Sequence, residues 1–132
     1  MSKILFIQSD TSEYAGVMSI AALIKEYGHT IKVLISLETK LILKEIRQFK
    51  PDLIAFSCMT ASYPWSLRQA RIIKRNYPIT IIFGGYHSTF NPEIISESAI
   101  DIVCCGEGEY PLLELLNTLD KKEEFTKIKN LW

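Results

Sequence analysis

Short apolar runs alternate with helix-period segments along this chain. Ile4-Leu5-Phe6-Ile7 is the first strand-like run. From about Glu13 to Tyr27, Val17, Ile20, Ala21 and Ile24 recur at helical spacing, and Gly28 stands where a helix ends. Ile31–Ile35 predicts a second strand. Thr39–Phe49 predicts a second helix, with Leu43, Ile46 and Phe49 on one face. Pro51-Asp52 restarts the chain into a third strand, Leu53–Phe56. A third helix is predicted over about Tyr63–Asn76 and a fourth strand over Ile79–Phe83, after Pro78. Asp101–Cys104 predicts a short fifth strand. Leu112, Leu113, Leu115, Leu116 and Leu119 mark a last helix.

Strands alternating with helices indicate βαβ units and a parallel sheet. The strands are continuous apolar runs, as expected when helices cover both faces. Five strands at this length favour an α/β flavodoxin-like (Rossmann-like) doubly wound fold with strand order 2-1-3-4-5. Ligands of such sheets bind beyond the carboxyl ends of the strands, at the switch point between strands one and three. That rule selects the loops Gln8–Gly16, Ser57–Pro64, Gly84–Glu93 and Gly106–Pro111, which are also the polar and glycine-bearing loops.

Composition narrows the function. The 132 residues fit one domain. Fifteen basic and fifteen acidic residues cancel, which argues against a nucleic-acid surface. No apolar run approaches the roughly 20 residues of a bilayer span. Gln8-Ser9-Asp10 breaks the apolar N-terminus too early for a signal segment, so a cytoplasmic location is expected. Cys58, Cys104 and Cys105 form neither a disulfide framework nor a Cys-x-x-Cys pair. They read as small buried hydrophobes.

Two glycine clusters follow strand-like runs. Gly84-Gly85-Tyr86-His87-Ser88-Thr89 comes after the fourth strand, and Gly106-Glu107-Gly108-Glu109 after the fifth. A glycine pair at a strand end lets a ligand or another backbone come close. Familiar chemistries fail. A phosphoacceptor domain needs an aspartate where Ser57 stands. Ser9-Asp10-Thr11-Ser12 has the hydroxyls of a flavin phosphate loop, but the next glycine is Gly16. Gly-x-Gly-x-x-Gly is absent, and no Ser/His/Asp set is evident.

Gly84–Thr89, then Pro92-Glu93, then Asp101-Ile102-Val103, then Gly106–Glu109 with its leucine-rich helix, resembles the N-terminal cobalamin (vitamin B12)-binding domain of cobalamin-dependent radical S-adenosylmethionine enzymes. The likeness covers nearly the whole chain. It implies a cobalamin-binding domain over residues 1–120. The charged stretch Asp120–Lys129 reads as solvated, and the exit segment 121–132 would then lead toward a radical S-adenosylmethionine barrel. In the family that barrel carries a Cys-x-x-x-Cys-x-x-Cys motif for a 4Fe-4S cluster, which this chain lacks. Cluster and S-adenosylmethionine are expected there, and catalysis in the parent. A chain ending on Leu131-Trp132 reads as continuing into that domain. The reaction implied for the parent is methyl transfer from methylcobalamin to a substrate carbon made radical by a 5′-deoxyadenosyl species.

Cobalamin domains of the methionine synthase and mutase type carry Asp-x-His-x-x-Gly after strand one, whose histidine ligates cobalt from below. Here Asp10 is followed by Thr11-Ser12, and Gly16 lies one residue beyond the expected spacing. The resemblance therefore implies cobalamin held without a lower histidine, and no metal-ligating residue in this chain. It places Gly84 and Gly85 beside the nucleotide tail, with Ser57 hydrogen-bonding it. Met59 and Thr60 would lie under the slot mouth, and Asp10, Thr11 and Tyr14 below the corrin. Ser9, Gly16, Tyr86, His87, Gly106, Glu107 and Gly108 complete the candidate cofactor contacts.

Blander roles stand beside these. Gly84-Gly85 also suits a plain turn, and Ser57 a strand-end cap. His87 suits a residue that fixes its own loop better than an axial ligand. Glu107 and Glu109 suit a helix start, where acids are favoured. Tyr63, Trp65 and Tyr86 fit either an exposed aromatic rim or ordinary packing. Two other functions compete: a degenerate, non-binding scaffold for a docked barrel, and a free-standing flavodoxin-like flavin protein.

Overall fold

The strand-like runs all become strands of one parallel sheet in a computed structural model that describes residues 1–10, 15–123, 128, 131 and 132. The order of elements is β1 (Lys3–Gln8), α1 (Ala15–Glu26), β2 (Thr30–Ile35), α2 (Thr39–Phe49), β3 (Leu53–Ser57), α3 (Tyr63–Asn76) and β4 (Thr80–Gly84). There follow α4 (Tyr86–Phe90), a 3-10 turn (Pro92–Ser96), β5 (Ile102–Val103) and α5 (Glu109–Asp120). The sheet order is β2-β1-β3-β4-β5, with every pair parallel. This is the flavodoxin-like arrangement that the alternation of elements predicts.

Side chains alternate across a strand, so each run feeds two cores. Leu5, Ile7, Ile54, Phe56, Ile81 and Phe83 face α2 and α3. Ile4, Phe6, Leu53, Ala55, Ile82 and Ile102 face α1 and α5. The edge strand β2 departs from the fully covered pattern, with Val33 and Ile35 exposed. No described helix is long and apolar enough to cross a membrane.

Helix ends follow their chemistry. Gly28 adopts φ 85°, its N–H donates to Lys25 O, and the His29 N–H donates to Ile24 O. This paired closure satisfies two carbonyls that the end of α1 would leave open. The next residue, His29, is buried. Its Nδ1 accepts the Ser2 N–H at 3.1 Å, so Nε2 holds the proton and donates to Asn117 Oδ1 at 2.7 Å. The Ser2 hydroxyl bonds the Asp120 carboxylate. The first and last elements are thus tied at the end of the sheet opposite the glycine clusters.

Two departures concern loops. The stretch after β4, expected as a loop, coils into α4 and the 3-10 turn. The C-terminal segment is not wholly solvated. Lys121–Glu123 are exposed, but Ile128 is buried. The Trp132 N–H donates to Val103 O at 2.8 Å, and the Val103 N–H to Trp132 O at 3.1 Å. Leu131 thereby forms an antiparallel bridge with Cys104 along the outer edge of β5.

Candidate functional site

The two glycine clusters meet at the carboxyl edge of the sheet. The Cys58 N–H donates to Gly84 O at 2.9 Å, and Cys58 O accepts the His87 N–H at 3.1 Å. The chain leaving β3 therefore crosses directly over the end of β4. Gly85 makes the crossing possible. It adopts φ 90° and ψ −173°, a region open essentially to glycine alone. A Cβ there would lie 2.8 Å from both the N and the O of Cys58, and 3.1 Å from Ser57 Oγ. Gly84 behaves differently. A Cβ on it would meet only Cys104 Cβ, at 3.7 Å. The expectation that both glycines make room for a ligand thus divides. Gly84 leaves space, whereas Gly85 admits another part of the backbone.

Thr89 joins the clusters. Its hydroxyl donates to Gly85 O at 3.0 Å and accepts the Gly106 N–H at 3.0 Å. Gly106, at φ 79°, turns the chain toward Gly108 and α5. Gly108 lets α5 approach α1, since a Cβ there would lie 3.3 Å from Ile20 Cδ1.

Between these helices and the sheet lies a cavity of about 650 Å³, within the usual range for small-molecule sites. Its floor is two rows of side chains set by strand register. The deeper row runs Phe6, Ala55, Ile82, because Phe6 pairs with Ala55 and Ala55 with Ile82. The outer row runs Ser57, Gly84, Cys104. In each row the smallest residue lies in the middle, so the floor dips along β3 and β4. Val17 and Ile20 of α1 and Leu112 of α5 form the walls.

Among the candidate positions, Gly16, Ser57, Met59, Gly84, Gly85, Tyr86, Gly106, Glu107 and Gly108 line this cavity. Ser9 is half-buried and Asp10 exposed beyond β1, where Asp10 O accepts Gln8 Nε2 at 2.9 Å; neither lines the cavity. Thr11, Ser12 and Tyr14 lie outside the described residues. Thr60 and His87 lie away from the lining. The His87 ring stacks on Tyr63 with centroids 4.2 Å apart, and its Nδ1 is 3.2 Å from Thr60 Oγ1. His87 therefore pins the loops after β3 and β4 together on the α3 side. The other histidine, His29, lies at the far end of the sheet. Of the expected aromatic rim, Tyr63 packs edge-on against Phe83 and Trp65 against the α3-side core. Tyr86 is exposed, joined by Phe90 and Tyr110.

Sequence reasoning found Ser57 and Gly84 of the outer row but missed the deeper row, Cys104, the wall residues and Thr89. Strand alternation carries a signal for the floor, since Phe6, Ala55 and Ile82 share a face. Nothing local marks Thr89.

Electrostatics around the cavity are quiet. Burial pushes the Cys104 thiol up to about 11, helped by Cys105 and Glu109. Burial also pushes Cys58 up to about 12, opposed by a hydrogen bond with Ser66. Both thiols are protonated at neutral pH and are poor metal ligands in that form. No group of three or more His, Cys, Asp or Glu side chains could hold a metal among the described residues.

Comparison with known proteins converges on this geometry. Over 98% of its length the chain is 31% identical to an uncharacterized methyltransferase of Pyrococcus horikoshii, spanning 30% of that protein. Over 60% of its length it is 30% identical to a cobalamin-dependent radical SAM methyltransferase, TokK, of Streptomyces tokunonensis, spanning 12% of that protein. The chain thus covers under a third of either relative. Among solved structures, a cobalamin-binding protein from Desulfitobacterium hafniense superposes with a TM-score of 0.70 at 14% identity, over 88% of this chain and 58% of that one. At that identity the likeness is one of fold. The B12 binding domain family model matches residues 10–116, taking in the loop after β1, both glycine clusters and most of α5. With every lining residue of the helix-flanked cavity except Phe6 falling inside that match, the chain belongs to the B12-binding domain family.

Proposed function

We propose that this domain holds cobalamin with its nucleotide tail in the cavity between α1, α5 and the sheet, and with no protein histidine beneath the cobalt. The observation that carries the reading is the dipped floor. Ala55 in the deeper row and Gly84 in the outer row stand diagonally across β3 and β4 and leave a slot with apolar walls, open at the carboxyl edge. A planar base on a flexible tail fits such a slot. Ser57 at its mouth would hydrogen-bond the tail. Met59, Tyr86 and Phe90, all exposed beside the opening, would offer apolar surface to the corrin. Asp10, Thr11 and Tyr14 belong to the loop that would meet the corrin from below. Neither histidine lines the slot, and Ser12 occupies the position where related domains place one.

When bound, methylcobalamin supplies a transferable methyl group. The relatives' names, a methyltransferase and a cobalamin-dependent radical SAM methyltransferase, support a parent enzyme that uses that group in a methyl transfer, carried out in our reading by a radical S-adenosylmethionine barrel beyond this domain. The 4Fe-4S cluster and S-adenosylmethionine would belong to that barrel. In such a protein this domain is a binding module, and its own residues bind, orient and shield.

A visible-absorbance titration with hydroxocobalamin, followed by gel filtration, tests the binding. Retained corrinoid is expected for the wild-type domain, and loss for Gly84→Val, whose side chain enters the slot. Electron paramagnetic resonance of the reduced Co(II) form should show no nitrogen splitting from an axial histidine. Absence of retention overturns the proposal in favour of a non-binding scaffold. Retention of added flavin instead points to a flavin protein.

A further inference from the structure

We infer that the slot selects corrinoids by the base carried on their tail, accepting an apolar benzimidazole and rejecting a purine, with Ala55 and Ile82 as the discriminating residues. This rests on the tail occupying the slot, as proposed above. Corrinoids share the ring and differ in the tail base. A base that enters the slot end-on passes the outer row at the mouth and brings its leading edge to the deeper row of the floor. That row is Phe6, Ala55 and Ile82, all buried, and the walls beside it are Val17, Ile20 and Leu112.

No polar side chain stands at that depth. The polar atoms of the floor are in the outer row, on Ser57 and Cys104. The main-chain groups of β3 and β4 are committed to the sheet ladder. Among the described side chains, no buried nitrogen or oxygen lacks a partner that a ligand might supply. An adenine would therefore bring its exocyclic amine and ring nitrogens into a place with no donor or acceptor. A dimethylbenzimidazole presents methyl groups and ring C–H edges there. Leaving one buried polar group unpaired lowers affinity by about 10-fold or more. Ala55 sets the depth and Ile82 the chemistry, because both point to the slot face from adjacent strands in register.

The test compares three probes on the wild-type domain by equilibrium titration: cobalamin, its adenine-tailed analogue, and cobinamide, which has no tail. Cobalamin should bind at least about 10-fold tighter than the adenine-tailed analogue, with cobinamide weakest. Ile82→Asn, which places an amide at the depth of the base, should narrow the gap between the two tailed forms. Ala55→Leu, which fills the dip, should bring both to the cobinamide level. Circular dichroism checks that each variant folds. Should Ile82→Asn not fold, Ile82→Thr serves the same comparison. Equal or tighter binding of the adenine-tailed form overturns the selectivity and leaves the slot assignment standing. Cobinamide binding as tightly as cobalamin overturns the slot assignment itself.

Discussion

Gly84 and Gly85 are adjacent, yet a methyl group should act on them in opposite ways. At Gly85 the backbone has φ 90° and ψ −173°, which costs a non-glycine residue about 1–3 kcal/mol. The new Cβ would also stand 2.8 Å from Cys58 N and O. Relief requires the β3 loop to lift, which stretches the bonds from Cys58 N–H to Gly84 O and from His87 N–H to Cys58 O. Each is worth about 0.5–1.5 kcal/mol. The sum for Gly85→Ala is about 2–6 kcal/mol, a large part of the roughly 5–15 kcal/mol that holds a domain folded. At Gly84 the Cβ meets Cys104 at ordinary contact distance. Gly84→Ala should change stability by under about 1 kcal/mol, with lost freedom in the unfolded chain a small gain. Urea denaturation followed by far-ultraviolet circular dichroism measures both. At a slope of about 1–3 kcal/mol per molar urea, the Gly85→Ala midpoint should fall by about 1 M or more, while Gly84→Ala stays near wild type. Equal midpoints for the two variants would refute the crossing geometry as the reason for Gly85.

Thr89→Val removes the hydroxyl between Gly85 O and Gly106 N–H and should cost about 1–2 kcal/mol, with faster amide exchange at Gly106. The Cys58 and Cys104 thiols, pushed up to about 12 and about 11 from an ordinary 9.0, bind protons more tightly in the folded state. Their contribution is complete below pH 9 and is lost as pH rises toward 11 and 12. Urea midpoints should decline over that window, and less steeply in a Cys58→Ala, Cys104→Ala variant. Asp120 behaves with the opposite sign. The Ser2 hydroxyl, with the N-terminal ammonium and His29 assisting, holds its carboxyl below the ordinary 3.8. That support is present above this value and fades as pH falls below it. Asp120→Asn should flatten the acid limb of the stability profile.

Much of the architecture is legible along the chain, because each strand is an apolar run bounded by punctuation such as Gly28 or Pro51. The sheet order follows from the number and length of the units. The two-row floor is written there too, but faintly. Ala55 and Gly84 are small residues in separate strands, and only register sets them diagonally across the same floor. That Gly85 admits another backbone is one of the two readings the glycine pair allows, but its partner, Cys58, was not legible, being brought close by the β3–β4 pairing. The same holds for Thr89, whose partners are Gly85 and Gly106. The glycines after β4 suggested a loop, whereas Ser88 and Thr89 return their hydroxyls to the carbonyls of Gly84 and Gly85 and wind the chain into α4. Trp132 finds Val103 from the far side of α5, a pairing that no local pattern announces.

That last pairing has a consequence for how copies of this domain meet one another. The outer rim of β5, a strand of two residues, has its hydrogen-bonding groups taken up by the returning Leu131-Trp132 segment, so it cannot template an incoming strand. The opposite rim, β2, is six residues long and has no strand beyond it among the described residues. Strand addition, whether in a crowded cell or in a concentrated sample, therefore has one direction in which to start. There it meets Lys32, an exposed charge in the middle of the strand that any newcomer must keep in water.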